Sequence, residues 1–246
     1  MKAYVVNLLR SEDRRVYMEN LLSAIDDIEI EYINAVDGKS LSDKERHTLF
    51  DVEKFSRDNL RLSRPGEIGC TLSHQKCYRR LIESDESYAI VFEDDIVMNE
   101  APVSFIAEIE KWLRTDEPRV LLLSGWFWYT TESGFDEKHK VATVSDGYLT
   151  HAYALNRAAA ELMTDERPWY VADAWDMFRK RGIRICGLRP HPFDQDWSGV
   201  FKTVVNDESQ RKTSFNLSGW MKIKKRSAIQ KILTLAGNME PARHNG

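Results

Sequence analysis

The sequence is poor in cysteine and lacks long apolar runs. Its three cysteines among 246 residues (Cys70, Cys77 and Cys186) form no Cys-x-x-Cys pair. This pattern indicates a reducing compartment and predicts neither a disulfide framework nor a structural zinc site. No stretch reaches the ~18 consecutive apolar residues of a transmembrane helix. The apolar stretch that ends at Arg10 is too short and too polar for a signal-peptide core, so we expect a cytoplasmic protein.

What the sequence does contain is enough apolar material for a large folded domain. The 26 aromatic residues (7 Trp, 9 Tyr and 10 Phe) and the 42% apolar content exclude a disordered chain. Short apolar segments alternate with amphipathic ones, which is the pattern of an α/β fold with a mostly parallel sheet. Strands are predicted over 3–8, 28–35, 88–92, 120–123, 148–155 and 183–186, and helices over 11–25, 69–84, 103–114, 157–163 and 174–180.

Charge is distributed unevenly along the chain. Residues 202–246 hold nine Lys or Arg and three acids, a net +6, so the overall −4 leaves −10 for residues 1–201. Residues 220–233 are predicted to form a basic amphipathic helix that begins with a tryptophan. Such a helix either contacts an anionic membrane surface or packs on the body as a solvated helix. Nucleic acid is excluded as a partner because the acidic body would repel phosphates. We divide the chain into a domain over 1–205 and a basic C-terminal extension over 206–246.

An acidic triplet follows the predicted buried strand 88–92. Ligands of α/β sheets bind at the carboxyl ends of strands, and three adjacent acids require a cation or hydrogen bonds. Because positions i and i+2 of an extended segment face the same side, Glu93 and Asp95 are predicted to share a site, with Asp94 turned away. The alternative is an acidic turn that caps the next helix. The site interpretation predicts Mg²⁺ or Mn²⁺ bound with a diphosphate.

A second candidate site is the segment 66–74. Its small residues at the start of the predicted helix 69–84, among them Gly69, would let backbone N–H groups approach an anion, with Ser73 and His74 in the first turns. The alternative is a tight loop, a capped helix and a buried, hydrogen-bonded histidine.

Together these segments resemble glycosyltransferase family 25, the bacterial lipopolysaccharide and lipooligosaccharide transferases of β-1,4-galactosyltransferase type. The similarity covers roughly residues 1–200. It rests on Val6-Asn7-Leu8 with Asp13-Arg14-Arg15, Ala35-Val36-Asp37-Gly38, Gly66-Glu67-Ile68-Gly69-Cys70 with Leu72-Ser73-His74, Val91-Phe92-Glu93-Asp94-Asp95-Ile96 and His151-Ala152-Tyr153.

The resemblance implies a GT-A type, Rossmann-like fold and a UDP-sugar donor, usually UDP-galactose or UDP-glucose. It also implies a glycolipid or oligosaccharide acceptor at the inner face of the bacterial inner membrane. Asp95 would bind the metal with Glu93, and His151 would face the metal or the diphosphate, although a structural histidine is the alternative. The implied donor-binding residues are Asn7, Leu8, Arg14, Asp37, Gly38, Gly69, Ser73, His74, Glu93, Asp94, Gln195 and Ser198.

The family implies inversion at the anomeric carbon, which requires a general base on the acceptor hydroxyl. Asp173 is the favoured base because it falls where a helix is predicted to start, and Asp176 is the second candidate. The alternative is that Asp173 only caps that helix. Two other functions stay open at this point: a metal-dependent phosphoesterase that uses the same acids, and a non-catalytic sugar-nucleotide-binding module.

Overall fold

The computed structural model describes residues 1–99, 105–196 and 217–242. In these ranges the strands are β1 Lys2–Asn7, β2 Glu29–Asn34, β3 Tyr88–Glu93, β4 Ile96–Met98, β5 Arg119–Leu122, β6 Phe127–Gly134, β7 Lys140–Gly147, β8 Ala152–Asn156, β9 Arg184–Arg189, β10 Phe193–Gln195 and β11 Met239–Glu240. The helices are α1 Glu12–Leu22, α2 Asp43–Leu49, α3 Val52–Asn59, α4 Pro65–Glu83, α5 Phe105–Leu113, α6 Arg157–Met163, α7 Trp175–Lys180 and α8 Leu217–Leu235.

The central sheet has nine strands in the order β11-β6-β7-β9-β5-β8-β3-β1-β2. Strand β1 is parallel to β2 and β3, and β5 is parallel to β9, whereas β8 lies antiparallel between β3 and β5. With the antiparallel pairs of β6, β7 and β11 included, six strands run in one direction and three (β7, β8 and β11) run in the other. The predicted α/β fold with a mostly parallel central sheet flanked by helices is confirmed.

The apolar strands are buried on both faces because each face of the sheet carries its own core. Along β1, Tyr4 and Val6 belong to one core and Ala3 and Val5 to the other. Helices α4, α6 and α7 cover the first face, and α1 and α5 cover the second. Continuous rather than alternating apolar strands are what a sheet covered on both sides requires.

Helix α4 begins four residues earlier than the sequence pattern predicts. Pro65 occupies its first turn, and the Glu67 carboxylate accepts a hydrogen bond from Arg64 N at 2.8 Å. Both are signals of a helix start. Gly69 is therefore inside the helix, where a Cβ atom would lie 2.6 Å from Gly38 N. Its smallness serves close packing of α4 against the segment after β2, so the predicted helix start at Gly69, with backbone N–H groups free to approach an anion there, is wrong.

The C-terminal segment is integrated into the same sheet. Strand β11 pairs antiparallel with β6, and Trp128 Nε1 donates a hydrogen bond to Thr234 Oγ1 of α8 at 2.7 Å. The predicted boundary at 205 lies outside the described residues, but the described part of the extension packs on the domain instead of standing apart from it. Within those residues, no helix is long and apolar enough to cross a membrane.

Candidate functional site

A cavity of about 1250 Å³ lies at the carboxyl ends of β1, β2 and β3. Part of its lining comes from the segments that follow these three strands, as expected for an α/β sheet. Among the predicted site residues, the following line the cavity: Leu8, Arg14, Asp37, Gly38, Ser73, His74, Glu93, Asp94, Asp95, His151, Asp173 and Gln195. Ser198 lies outside the described residues.

Glu93, Asp95 and His151 form a compact cluster in this cavity. One ligand atom from each lies within 4.8 Å of the others. His151 reaches the acids because β8 runs antiparallel to β3, and Glu93 N donates a hydrogen bond to the His151 carbonyl at 2.8 Å. The predicted sharing of one site by Glu93 and Asp95 thus has a geometric basis, and His151, which the resemblance implied at the metal or the diphosphate, lies in the same cluster just before β8.

Asp94 points away from this cluster, toward α1 and the end of β1. Its Oδ2 accepts a hydrogen bond from Asn7 Nδ2 at 2.8 Å, and its Oδ1 accepts one from Arg14 Nη1 at 2.6 Å. The same Arg14 nitrogen lies 3.5 Å from Asp95 Oδ2. Asn7 is 5% exposed and does not line the cavity. Asn7 therefore positions Asp94 and does not reach the cavity itself.

The two acids that share the cluster have pKa values shifted in opposite directions. Burial opposes ionisation of Glu93, but hydrogen bonding to His74 and the charge of His151 outweigh it and lower its pKa to about 2. Burial raises the pKa of Asp95, partly offset by His151 and reinforced by the Glu93 charge. Separated pKa values of this kind are typical of functional sites.

The residues of this cluster fit a divalent cation. Asp95 Oδ1 and His151 Nδ1 are buried and have no hydrogen-bond partner among the described residues. Buried polar atoms without partners are costly, about 1–3 kcal/mol each, and a cation that accepts both lone pairs would remove this cost. Carboxylates suit Mg²⁺ and Mn²⁺, and an imidazole favours a transition metal, so the set fits Mn²⁺ better than Mg²⁺.

The remaining predicted donor-binding residues divide into cavity-lining and structural groups. Gln195 Nε2 donates a hydrogen bond to Asp95 Oδ2 at 3.2 Å and orients it. Asp37 forms an ion pair with Arg10. Ser73 lines the cavity, but its hydroxyl is used within the fold, where it donates to Gly69 O and accepts from Val36 N. Because α4 starts at Pro65, Ser73 lies in its third turn and not at an anion-binding helix end.

Asp173 is half-buried in the cavity wall and does not cap α7. Its Oδ2 accepts a hydrogen bond from Leu149 N at 3.0 Å, and Ala174 is the residue that precedes the helix. Burial raises the pKa of Asp173. Asp176 lies inside α7, where Lys180 Nζ donates to its Oδ2 at 2.6 Å. The geometry therefore favours Asp173 over Asp176 as a proton acceptor, and the capping interpretation is wrong.

Sequence reasoning missed that helix α8 forms one wall of the cavity. Lys222, Ile223, Lys225, Arg226 and Ile229 line it. The basic composition of this segment was visible in the sequence, but no local pattern indicates which surface a helix contacts. Cys70 also lines the cavity, beside His74 and Glu93. Its spacing of four residues from His74 was a signal that could have been used.

An acid-rich cavity at the strand ends of an α/β sheet is the arrangement expected of a protein that binds a small polar ligand. The family model for glycosyltransferase family 25, described as an LPS biosynthesis protein family, matches residues 1–174. This chain belongs to glycosyltransferase family 25, and the resemblance found in the sequence is confirmed.

Relatives with curated descriptions share only part of their length with this chain. Human procollagen galactosyltransferase 2 is 37% identical over 98 residues, which is 38% of this chain and 15% of that protein. A glycosyltransferase 25 family member of Aedes aegypti is 27% identical over 177 residues, 67% of this chain and 28% of that protein. A bovine relative, 32% identical over 100 residues (39% of this chain and 16% of that protein), is described as a probable inactive family member. The chain thus matches well under two thirds of each of these relatives.

Two solved structures show a distant likeness. A Drosophila β-1,4-galactosyltransferase 7 mutant in complex with manganese, UDP-Gal and xylobiose aligns with a TM-score of 0.39 at 10% identity, covering 90% of this chain and 79% of that one. A glucose-1-phosphate thymidylyltransferase from Bacillus anthracis aligns with a TM-score of 0.42 at 10% identity, covering 79% and 89%.

Proposed function

We propose that this protein is an inverting hexosyltransferase that depends on a divalent metal. It transfers galactose, with glucose as the second candidate, from a UDP-sugar to a saccharide acceptor of a bacterial lipopolysaccharide or lipooligosaccharide. Family membership supports the transferase activity. The observation that carries the proposal is the cluster of Glu93, Asp95 and His151 in a cavity large enough for a sugar nucleotide.

The cluster is suited to the charge that develops when a sugar–diphosphate bond breaks. Asp95 and His151, with Glu93, would hold Mn²⁺ or Mg²⁺. When bound, the cation supplies Lewis-acid stabilisation of the leaving diphosphate. Gln195 and Arg14 keep the Asp95 carboxylate in place, and the Arg14–Asp94 ion pair fixes the acidic segment against α1.

Asp173 is the proposed general base. Its carboxylate takes the proton of the acceptor hydroxyl while that oxygen bonds to the anomeric carbon and the bond from the sugar to UDP breaks, so that UDP leaves. Leu149 N orients one carboxylate oxygen, which leaves the other to receive the proton. A positioned base contributes ~10²–10⁴-fold to the rate.

The test is a panel of UDP-sugars with Mn²⁺, scored for donor binding by calorimetry and for transfer to saccharide acceptors. We expect one UDP-hexose to bind and to be transferred, and Asp95→Asn to reduce the rate at least a hundredfold without loss of folding. Asp26→Asn, at an exposed position, is the matched control. If no UDP-sugar binds or reacts, the proposal fails.

The same panel, extended with simple phosphate esters, separates the two alternatives. A phosphoesterase would release phosphate from simple esters without any sugar transfer. A non-catalytic module would bind a UDP-sugar in a metal-dependent manner without turnover. The bovine relative that is described as a probable inactive family member is the reason to test this alternative.

We also propose that the protein works as a peripheral protein on the inner face of the bacterial inner membrane, where a lipid-linked acceptor would lie. The support is the outward face of α8, on which Trp220, Met221, Ile232 and Leu235 are 43–80% exposed. Lys224 and Lys231 are exposed on the same face. Apolar and basic side chains that alternate on an exposed helix face are suited to an anionic lipid surface.

A further inference from the structure

Cys70 and His74 lie one turn apart on helix α4 and face the same cavity. Side chains at positions i and i+4 of a helix are neighbours, and this spacing brings a thiol and an imidazole together. Glu93, at the end of β3, completes the group, because one ligand atom from each of the three lies within 4.8 Å of the others. The group adjoins the cluster of Asp95 and His151 but contains sulfur as well as nitrogen and oxygen.

The hydrogen bonds of His74 leave its Nε2 atom directed at this group. His74 is 1% exposed, and its Nδ1 lies 2.7 Å from Tyr153 Oη. Tyr153 donates a hydrogen bond to Tyr78 Oη at 3.2 Å, and the His74 tautomer that carries its proton on Nδ1 donates it to the Tyr153 oxygen. In this tautomer the Nε2 lone pair faces Glu93, with 3.4 Å between Nε2 and Oε1, whereas a proton on Nε2 would join the two groups as an ion pair.

This arrangement is that of an oriented metal ligand. Imidazoles that bind metals almost always have the other ring nitrogen fixed by a hydrogen bond, as Tyr153 does here. His74 Nε2 is buried, and its contact with Glu93 Oε1 is long, at 3.4 Å. A lone pair facing a carboxylate is unfavourable unless a proton or a cation lies between them.

We propose that Cys70, His74 and Glu93 form a second cation site, which takes a thiophilic divalent cation such as Zn²⁺ or Co²⁺. Three protein ligands with an open fourth position suit zinc, and thiolate sulfur selects zinc over magnesium or manganese. Binding displaces the thiol proton of Cys70 into solvent. Because Glu93 belongs to both clusters, a cation here draws that carboxylate away from Asp95 and His151.

The binding test uses Co²⁺, whose bond to a thiolate gives a charge-transfer absorption band in the near ultraviolet. We expect the wild-type protein to show this band with one equivalent of Co²⁺, and Cys70→Ser to lose it. Cys77→Ser and Asp95→Asn are the matched controls, and both should keep the band, since Cys77 is buried elsewhere in α4 and Asp95 belongs to the other cluster. Absence of the band in the wild type, or its survival in Cys70→Ser, overturns the proposal.

A measurement on the unmodified protein covers the case in which Cys70→Ser does not fold. Alkylation of Cys70 by iodoacetamide, followed by peptide mass spectrometry, should slow at least tenfold when Zn²⁺ is added and stay unchanged with Mg²⁺. Equal rates with and without Zn²⁺ contradict the site. Neither readout requires sugar transfer. The experiments on the second cation site therefore test it independently of the proposed transferase function.

Discussion

The Arg226 guanidinium of helix α8 donates two hydrogen bonds to the Asp146 carboxylate at the end of β7. The distances are 2.6 Å from Nε to Oδ2 and 2.8 Å from Nη2 to Oδ1. Asp146 is 3% exposed and also accepts a hydrogen bond from Gln230 one turn further along α8. A buried carboxylate thus fixes the helix that forms one wall of the cavity.

Loss of this pair should loosen α8. In Arg226→Met the Asp146 carboxylate stays buried with one partner fewer, at a cost of about 1–3 kcal/mol in the free energy of unfolding. Urea denaturation measures this cost, and hydrogen exchange of the α8 amides should become faster. Lys224→Met, on the exposed face of the same helix, should change neither quantity. Unchanged α8 exchange in Arg226→Met would mean that other contacts hold the helix.

Asp173→Asn should lose turnover but keep donor binding. The asparagine oxygen can still accept from Leu149 N, but an amide cannot take a proton from the acceptor. We expect the rate to fall ~10²–10⁴-fold with an unchanged donor dissociation constant by calorimetry. Asp176→Asn is the control, because that carboxylate is ion-paired with Lys180. A near-wild-type rate in Asp173→Asn would remove this residue from the role of base.

The pH dependence of turnover is a second check on Asp173. Burial raises its pKa above the ordinary value of 3.8. Because a base acts only when deprotonated, the rate should fall as pH decreases through this raised pKa, at a higher pH than for an exposed carboxyl group. This acidic limb should be present in the wild type and in Asp176→Asn, and absent from the residual activity of Asp173→Asn.

The sequence alone was sufficient for the features that depend on local pattern. Continuous apolar runs predicted the buried strands β1, β3 and β5, and the predicted helix 157–163 coincides with α6, which Asn156 caps by accepting a hydrogen bond from Ala159 N. The alternation of side chains along a strand predicted that Asp94 turns away from Glu93 and Asp95. These predictions succeed because backbone geometry fixes them within a few residues.

Features that depend on contacts between residues far apart in the sequence could not be predicted from local patterns. The start of α4 was predicted at Gly69, whereas the helix begins at Pro65 and Gly69 lies inside it, in contact with Gly38, 31 positions away in the sequence. Arg226 and Asp146 are 80 positions apart. The role of α8 as a cavity wall follows from that tertiary contact and not from the composition of the helix.

His191 is a further long-range element, buried between two carboxylates. Its Nδ1 lies 2.8 Å from Glu240 Oε1 in β11, and its Nε2 lies 2.9 Å from Asp194 Oδ2 in β10. Burial alone would lower the pKa of His191, but the hydrogen bonds to Asp194 and Glu240 outweigh it and raise that pKa. For Glu240, burial opposes ionisation, yet the bonds from His191 and Arg189 lower its pKa. The ionised group joins the C-terminal strand to the segment that carries Gln195.

This arrangement predicts a stability contribution that depends on pH. The part due to His191 is complete below its ordinary pKa of 6.5 and is lost as pH rises through the raised folded value. The part due to Glu240 is complete above 4.5 and is lost as pH falls through the lowered folded value. His191→Gln should therefore reduce the free energy of unfolding by about 3 kcal/mol near pH 6 and by less near pH 9, measured by urea denaturation. His47→Gln, at an exposed histidine, should show no such trend.

The outward face of α8 is the surface that we propose contacts the membrane. Lys224 and Lys231 lie on this face with Trp220, and none of them lines the cavity. Each lysine near an anionic leaflet contributes about 1 kcal/mol. Lys224→Glu/Lys231→Glu should therefore weaken sedimentation with vesicles that contain anionic lipid by roughly thirtyfold or more, and salt should weaken wild-type binding as well. Lys44→Glu/Lys138→Glu makes the same charge change at exposed lysines away from α8. If the two double variants bind vesicles equally, or if salt has no effect on the wild type, the lysines of α8 do not govern the binding. Net charge or apolar contact elsewhere would then account for any binding, and α8 would serve only as a wall of the cavity.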